Sequence, residues 1–141
     1  WKQPRAASVC ATEAIVAKKV DDAEMVKIVE AEGLEILNPE HGTKPRVYYK
    51  NLYRYNKCFI GGSVAAEKDG TADCVKDANV KLLKGSDVIA EATTDVFGDF
   101  KFDKLDQNSG GYKVEITADG HGSKSVDVEL GESITMGDIY L

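Results

Sequence analysis

What most constrains this chain is the rhythm of its second part. From Phe59 onward, short apolar stretches recur at roughly 8–12 residue intervals, the spacing of an antiparallel sandwich or barrel, and clusters of turn-forming residues cut them apart. Residues 59–66 form one such stretch. Asn79-Val80-Lys81-Leu82-Leu83 partly alternates, and Lys84-Gly85-Ser86-Asp87 turns it into a second run over 88–94. Phe97-Gly98-Asp99 then turns into Phe100, Phe102 and Leu105, which place apolar side chains at spacing two, then three. After Asn108-Ser109-Gly110-Gly111, Tyr112, Val114 and Ile116 alternate. After Asp119-Gly120-His121-Gly122 come Val126, Val128 and Leu130, and Ile139 and Leu141 close the series. Side chains alternate across a strand, so each run buries one face. The expectation is a mainly β fold: a seven-stranded antiparallel Greek-key sandwich over 58–141, with no helix inside it.

Residues 1–57 read differently. They hold 10 Lys+Arg against 8 Asp+Glu, whereas 58–141 hold 8 against 16, so the net charge goes from +2 to −8. All three prolines and only two of the 13 glycines lie in the first stretch. Two units with different surroundings are expected, divided after Lys57. The first is a small irregular α+β segment. Asp21-Asp22-Ala23-Glu24 opens a helix, because acidic groups meet the positive end of its dipole. Met25, Val26, Ile28 and Val29 supply an apolar stripe and Gly33 a stop. Leu34, Ile36 and Leu37 form a short extended piece, and Arg46-Val47-Tyr48-Tyr49 another after the turn between Pro39 and Pro45.

The 141 residues carry a net charge of −6 and are 43% hydrophobic. That supports a folded core and argues against nucleic-acid binding, which needs clustered Lys and Arg. No apolar run reaches the ~18 residues of a membrane span. Three cysteines are too few for a disulfide scaffold. A chain opening at Trp1 is expected to be the tail of a longer protein.

Cys10 lies in Pro4-Arg5-Ala6-Ala7-Ser8-Val9-Cys10-Ala11-Thr12-Glu13-Ala14-Ile15. This resembles the last cluster-binding stretch of bacterial-type ferredoxin subunits, P-x-C-x3-C-P-T-x-A followed by an apolar residue. Pro4, Cys10, Thr12, Ala14 and Ile15 match; Ala6 stands where another ligand belongs and Ala11 replaces the proline. Residues 31–55, above all Gly42-Thr43-Lys44-Pro45-Arg46-Val47-Tyr48-Tyr49 and Lys50-Asn51-Leu52-Tyr53-Arg54-Tyr55, resemble the tail of iron–sulfur subunits in the molybdopterin oxidoreductase (dimethyl sulfoxide reductase) family. The resemblance covers almost the whole chain, most strongly 31–57 and 94–105. It implies that 1–57 is the remnant of a ferredoxin-like iron–sulfur domain with a docking arm. It also implies a [4Fe–4S] cluster in the intact parent subunit, with Cys10 as a metal ligand, though this stretch alone is not expected to hold one. Molybdopterin would sit only on the partner, a large catalytic subunit of an oxidoreductase or transhydroxylase, and the complex would be cytoplasmic. Arg46, Tyr48, Tyr49, Tyr53 and Arg54 would carry docking, since Tyr and Arg are enriched in interface cores; packing within the subunit is the other reading of the tyrosines.

Residues 94–116 follow T-D-x-x-G-x-F-x-F-x-x-L…G-x-Y-x-V-x-I, from Thr94 and Asp95 through Gly98, Phe100, Phe102 and Leu105 to Tyr112, Val114 and Ile116. This is similar to carboxypeptidase-regulatory-like and transthyretin-like sandwich domains. Asp95 and Gly98 make the turn, and Phe100, Phe102 and Tyr112 point inward. Such sandwiches serve as spacers, binding modules and assembly surfaces, so a non-redox binding module of transthyretin-like kind is the alternative. His41 and His121 read as isolated turn histidines, and Asp127 and Glu129 as a solvated strand face. Cys58 and Cys74 could pair across neighbouring strands, or stay free in a reducing compartment. No nucleophile–base pair or phosphate-binding loop is present to make this stretch an enzyme by itself.

Overall fold

The computed structural model describes residues 1–68 and 70–141, which fall into two compact units, Trp1–Leu52 and Tyr53–Leu141. In the first, α1 (Arg5–Ser8) is a single turn begun by Pro4, whose carbonyl accepts the Ala7 and Ser8 N–H groups. The longer helix α2 (Asp22–Glu32) starts where the acidic run predicts. The Asp21 carboxylate caps it by accepting the Glu24 N–H at 2.8 Å, with Asp22 and Glu24 in the first turn. It ends at Gly33, which is left-handed (φ 61°), and the Leu34 N–H returns to the Val29 carbonyl, the ending that glycine permits. Met25, Ile28 and Val29 are half-buried on one stripe, but Val26 is exposed and falls outside it. The two extended pieces meet at one antiparallel bridge, where Glu35 and Tyr49 exchange both backbone hydrogen bonds at 2.8 Å.

The second unit opens with one helical turn, α3 (Tyr53–Asn56), ahead of eight strands. These are β1 (Cys58–Lys68), β2 (Thr71–Cys74), β3 (Asn79–Lys84), β4 (Asp87–Thr93), β5 (Asp99–Leu105), β6 (Gly110–Ala118), β7 (Gly122–Leu130) and β8 (Ile134–Tyr140). The fold is therefore mainly β, a pair of four-stranded sheets. One sheet runs β4-β3-β6-β7, antiparallel throughout. The other is built on β1, which carries β5 and then β2 along one edge and β8 along the opposite edge. The eighth strand beyond the seven expected is β2, whose four residues are all exposed and show no apolar alternation. The β1/β8 pair is parallel, a departure from a wholly antiparallel sandwich.

Alternation does most of the core building. Val80 and Leu82, Tyr112, Val114, Ile116 and Ala118, and Val128 and Leu130 face Ile60, Val64, Phe100, Phe102 and Ile139 in one buried cluster. Each such side chain, fully buried, contributes about 1.5–3 kcal/mol over an exposed one. Two irregularities keep the pattern pointing inward where spacing breaks. Between Cys58 and Ile60 the register with β5 shifts, so three residues of β5 span two steps of β1, and Leu105 returns toward the core after the spacing of three. On β8, Met136 and Gly137 (φ 69°) together oppose Gly62, so Ile134 and Met136 before this bulge and Ile139 after it all reach the core.

Val64 marks the point where β1 changes partner from β5 to β2. Its N–H donates to the Gly98 carbonyl at 2.8 Å and its carbonyl accepts the Val75 N–H at 2.9 Å. Gly98 has φ 78°, and a Cβ there would lie 2.4 Å from the Val64 carbonyl oxygen. Only glycine fits. Thr94, buried beside this junction, accepts the Ala78 N–H at 2.9 Å and donates to the Val75 carbonyl at 2.7 Å, pinning the 75–78 segment. Among the described residues, no helix is long and apolar enough to cross a membrane.

Candidate functional site

Cys10 sits just after α1, half-buried, on a turn in which the Glu13 N–H returns to the Cys10 carbonyl at 3.1 Å and Glu13 is left-handed (φ 54°). Its Sγ lies 3.6 Å from the Thr12 hydroxyl. That hydroxyl foremost, then the Ile15 backbone, stabilises the thiolate and draws the thiol's pKa below its ordinary value; desolvation opposes this, and the Ala14 and Thr12 backbone groups add smaller pulls downward. Backbone amides gathered around a sulfur suit a metal-bound thiolate, whose potential such hydrogen bonds tune. Cys10 is the sole cysteine of 1–52. A [4Fe–4S] cluster normally takes four thiolates, so the donor set here fits one corner of a cluster and no more. Among the described residues, no three His, Cys, Asp or Glu side chains converge as a metal-binding group.

The expected docking residues fall in both units. Arg46, Tyr48 and Tyr49 belong to the first, where the exposed Arg46 guanidinium pairs with Asp22, Tyr48 is half-buried and Tyr49 exposed. Tyr53 and Arg54 belong to α3 in the second. Arg54 is exposed, while Tyr53 is half-buried with the Lys104 ammonium 4.9 Å from its ring centre. The compact units thus divide five residues before Lys57, taking α3 with the sandwich.

Sequence reasoning missed a groove in the first unit. It has a volume of about 810 Å³, and Ile15, Met25, Ile28, Leu34, Tyr48 and Tyr49 are among the residues lining it. The signal was the stripe on α2 read together with Ile15. Each fragment was visible, but not that they converge.

Cys58 and Cys74 do not pair. Both are free; Cys58 is buried opposite Leu105, and Cys74 is exposed opposite Ala65. Those positions are seven residues apart along β1, roughly 20 Å, far beyond disulfide reach. His41 is exposed with Nε2 3.9 Å from a Glu40 carboxylate oxygen, and His121 is exposed in the β6–β7 turn. Asp127 and Glu129 are exposed, on the outer side of β7.

No family model matches the chain. It is 43% identical over 140 residues to the pyrogallol hydroxytransferase small subunit of Pelobacter acidigallici, an alignment covering 99% of this chain and 49% of that protein. The chain thus spans about half the length of the curated relative it matches. Among solved structures, 5-hydroxyisourate hydrolase of Klebsiella pneumoniae is similar at a TM-score of 0.47 with 13% identity, covering 59% of this chain and 84% of that one. A second, (S)-allantoin synthase, superposes at a TM-score of 0.43 with 10% identity over 88% of this chain and 70% of the other.

Proposed function

We propose that this chain is part of the small subunit of a transhydroxylase complex, cytoplasmic and related to pyrogallol hydroxytransferase. The observation that carries the proposal is 43% identity sustained over 140 residues, through both units rather than the sandwich alone. In this reading the small subunit is an electron-transfer subunit that docks on a large catalytic subunit of the dimethyl sulfoxide reductase type, and the molybdopterin belongs to that partner. A bound [4Fe–4S] cluster supplies single-electron transfer. Cys10 contributes one thiolate to it, and the Thr12 hydroxyl and neighbouring N–H groups hold that thiolate's charge. Arg46, Tyr48, Tyr49, Tyr53 and Arg54 form the docking arm, and the sandwich is an assembly or accessory domain.

The test is anaerobic co-expression of the subunit containing this chain with its large subunit, measuring iron and acid-labile sulfide per chain and co-purification. Cys10→Ser is expected to lower iron by about one cluster's worth, with the circular dichroism of the sandwich unchanged. Tyr49→Ala is expected to weaken co-purification. Iron indifferent to Cys10→Ser would remove the ligand role. Absence of both iron and a co-purifying large subunit would overturn the proposal.

A further inference from the structure

The turn Asp95-Val96-Phe97-Gly98-Asp99 carries two large apolar side chains at its tip, Val96 at 62% and Phe97 at 67% exposure. The turn itself is rigid. The Asp95 carboxylate accepts the Phe97 N–H at 2.8 Å and the Asp99 N–H at 3.0 Å, while the Asp95 carbonyl accepts the Gly98 N–H at 3.0 Å. Gly98 in turn is held to Val64 in the centre of the sheet. None of these contacts uses the Val96 or Phe97 side chain, so small polar residues would serve the turn equally well. Displaying a valine and a phenylalanine side by side in water gives the folded chain nothing. A ring held in place beforehand does, however, lower the ordering cost of inserting it into a pocket.

The surroundings of the tip define the kind of pocket. Asp95 and Asp99 flank it, and Asp77 lies alongside, its N–H donating to the Thr94 carbonyl at 3.1 Å. All three are exposed, and the Lys76 ammonium lies 3.4 Å from the Asp77 carboxylate. Residues 58–141 as a whole carry −8. We infer that the Val96–Phe97 tip is a preformed anchor that seats the sandwich in an apolar pocket rimmed by basic side chains on a partner protein. Resting on the function proposed above, that partner is the large subunit.

Binding of the whole small subunit to the separately purified large subunit, followed by surface plasmon resonance over a salt series, tests this. Phe97→Ser is expected to weaken Kd by at least about 30-fold, the effect of losing a central anchor, with the melting temperature little changed because the ring is two-thirds exposed. Val96→Ser should weaken binding by a smaller factor in the same direction. Asp77→Asn, tolerated at that left-handed position (φ 60°), should slow association at low salt and match the unaltered protein at high salt. Binding within about 3-fold of the unaltered subunit for both Phe97→Ser and Val96→Ser overturns the anchor and leaves the proposed function standing. Failure of the unaltered subunits to associate overturns the proposed function, and the anchor with it.

Discussion

In residues 53–141 every strand except β2 and β4 contributes a buried apolar side chain, whereas in 1–52 the buried apolar residue is Leu52 at its very end. Ile15, Val16, Val26 and Val47 of the first unit are each more than half exposed. The sandwich brings two alternating faces together and closes a core. The first unit has one helix longer than a single turn, α2, a single-bridge ladder and surface ion pairs of Lys18 and Lys50 with Glu32, and exposed pairs of that kind are worth about 0–1 kcal/mol. A segment of this size with so little burial is marginal alone. Its apolar stripe is complete in sequence terms but only half covered, while the sandwich closes a buried cluster of its own.

The largest expected effect bears directly on that contrast. Phe100→Ala removes a ring that is 5% exposed and should cost about 3–5 kcal/mol in urea unfolding of the whole chain. Ile28→Ala, half-buried on α2, should cost about 1 kcal/mol or less. Equal costs would break the comparison. A smaller effect should follow from Thr94→Val, which keeps the shape but leaves the Ala78 N–H and Val75 carbonyl without their partner. A loss of about 1–3 kcal/mol, largely restored in Thr94→Ser, would show that the 75–78 junction is held by this hydroxyl.

The smallest concerns pH. The Lys57 ammonium, hydrogen-bonded to Asp106, holds that carboxyl below the ordinary carboxylate range, with Lys84 adding a weaker pull. A carboxyl whose pKa is depressed by folding contributes stability above its unfolded pKa, lost as pH falls through the folded value. Melting temperature should therefore decline more gently from about pH 5 downward in Asp106→Asn than in the unaltered chain. The exposure of the pair keeps the difference small. Identical pH profiles would show that the pair is not formed in solution.

Much of this was legible residue by residue. Spacing of two marks Val80 and Leu82, Tyr112, Val114 and Ile116, and Val128 and Leu130 as inward-facing, and all are buried. Asp21 and Gly33 bound α2 because caps are local chemistry. The Cys10 turn was legible as a motif, but not the hydroxyl and amides turned toward its sulfur. β2 was invisible because a strand exposed along its whole length carries no alternation to read. Ile134 and Met136 were missed because the bulge at Gly137 puts them in the same core as Ile139 against a strict period of two.

By itself the sequence determined where seven of the eight strands of the second unit lie, which faces β3, β6 and β7 bury, where α2 begins and ends, and that two stretches of different charge share one chain. Those are properties of neighbouring residues, set by backbone conformation and local periodicity. Tertiary structure alone decided that β8 lies parallel to β1, that β1 exchanges β5 for β2 at Val64 with room only for Gly98, and that Cys58 and Cys74 stay apart. Each of these depends on which distant segment lies alongside. Local spacing carries no record of that, because the same alternating strand can pair in either direction and at either edge.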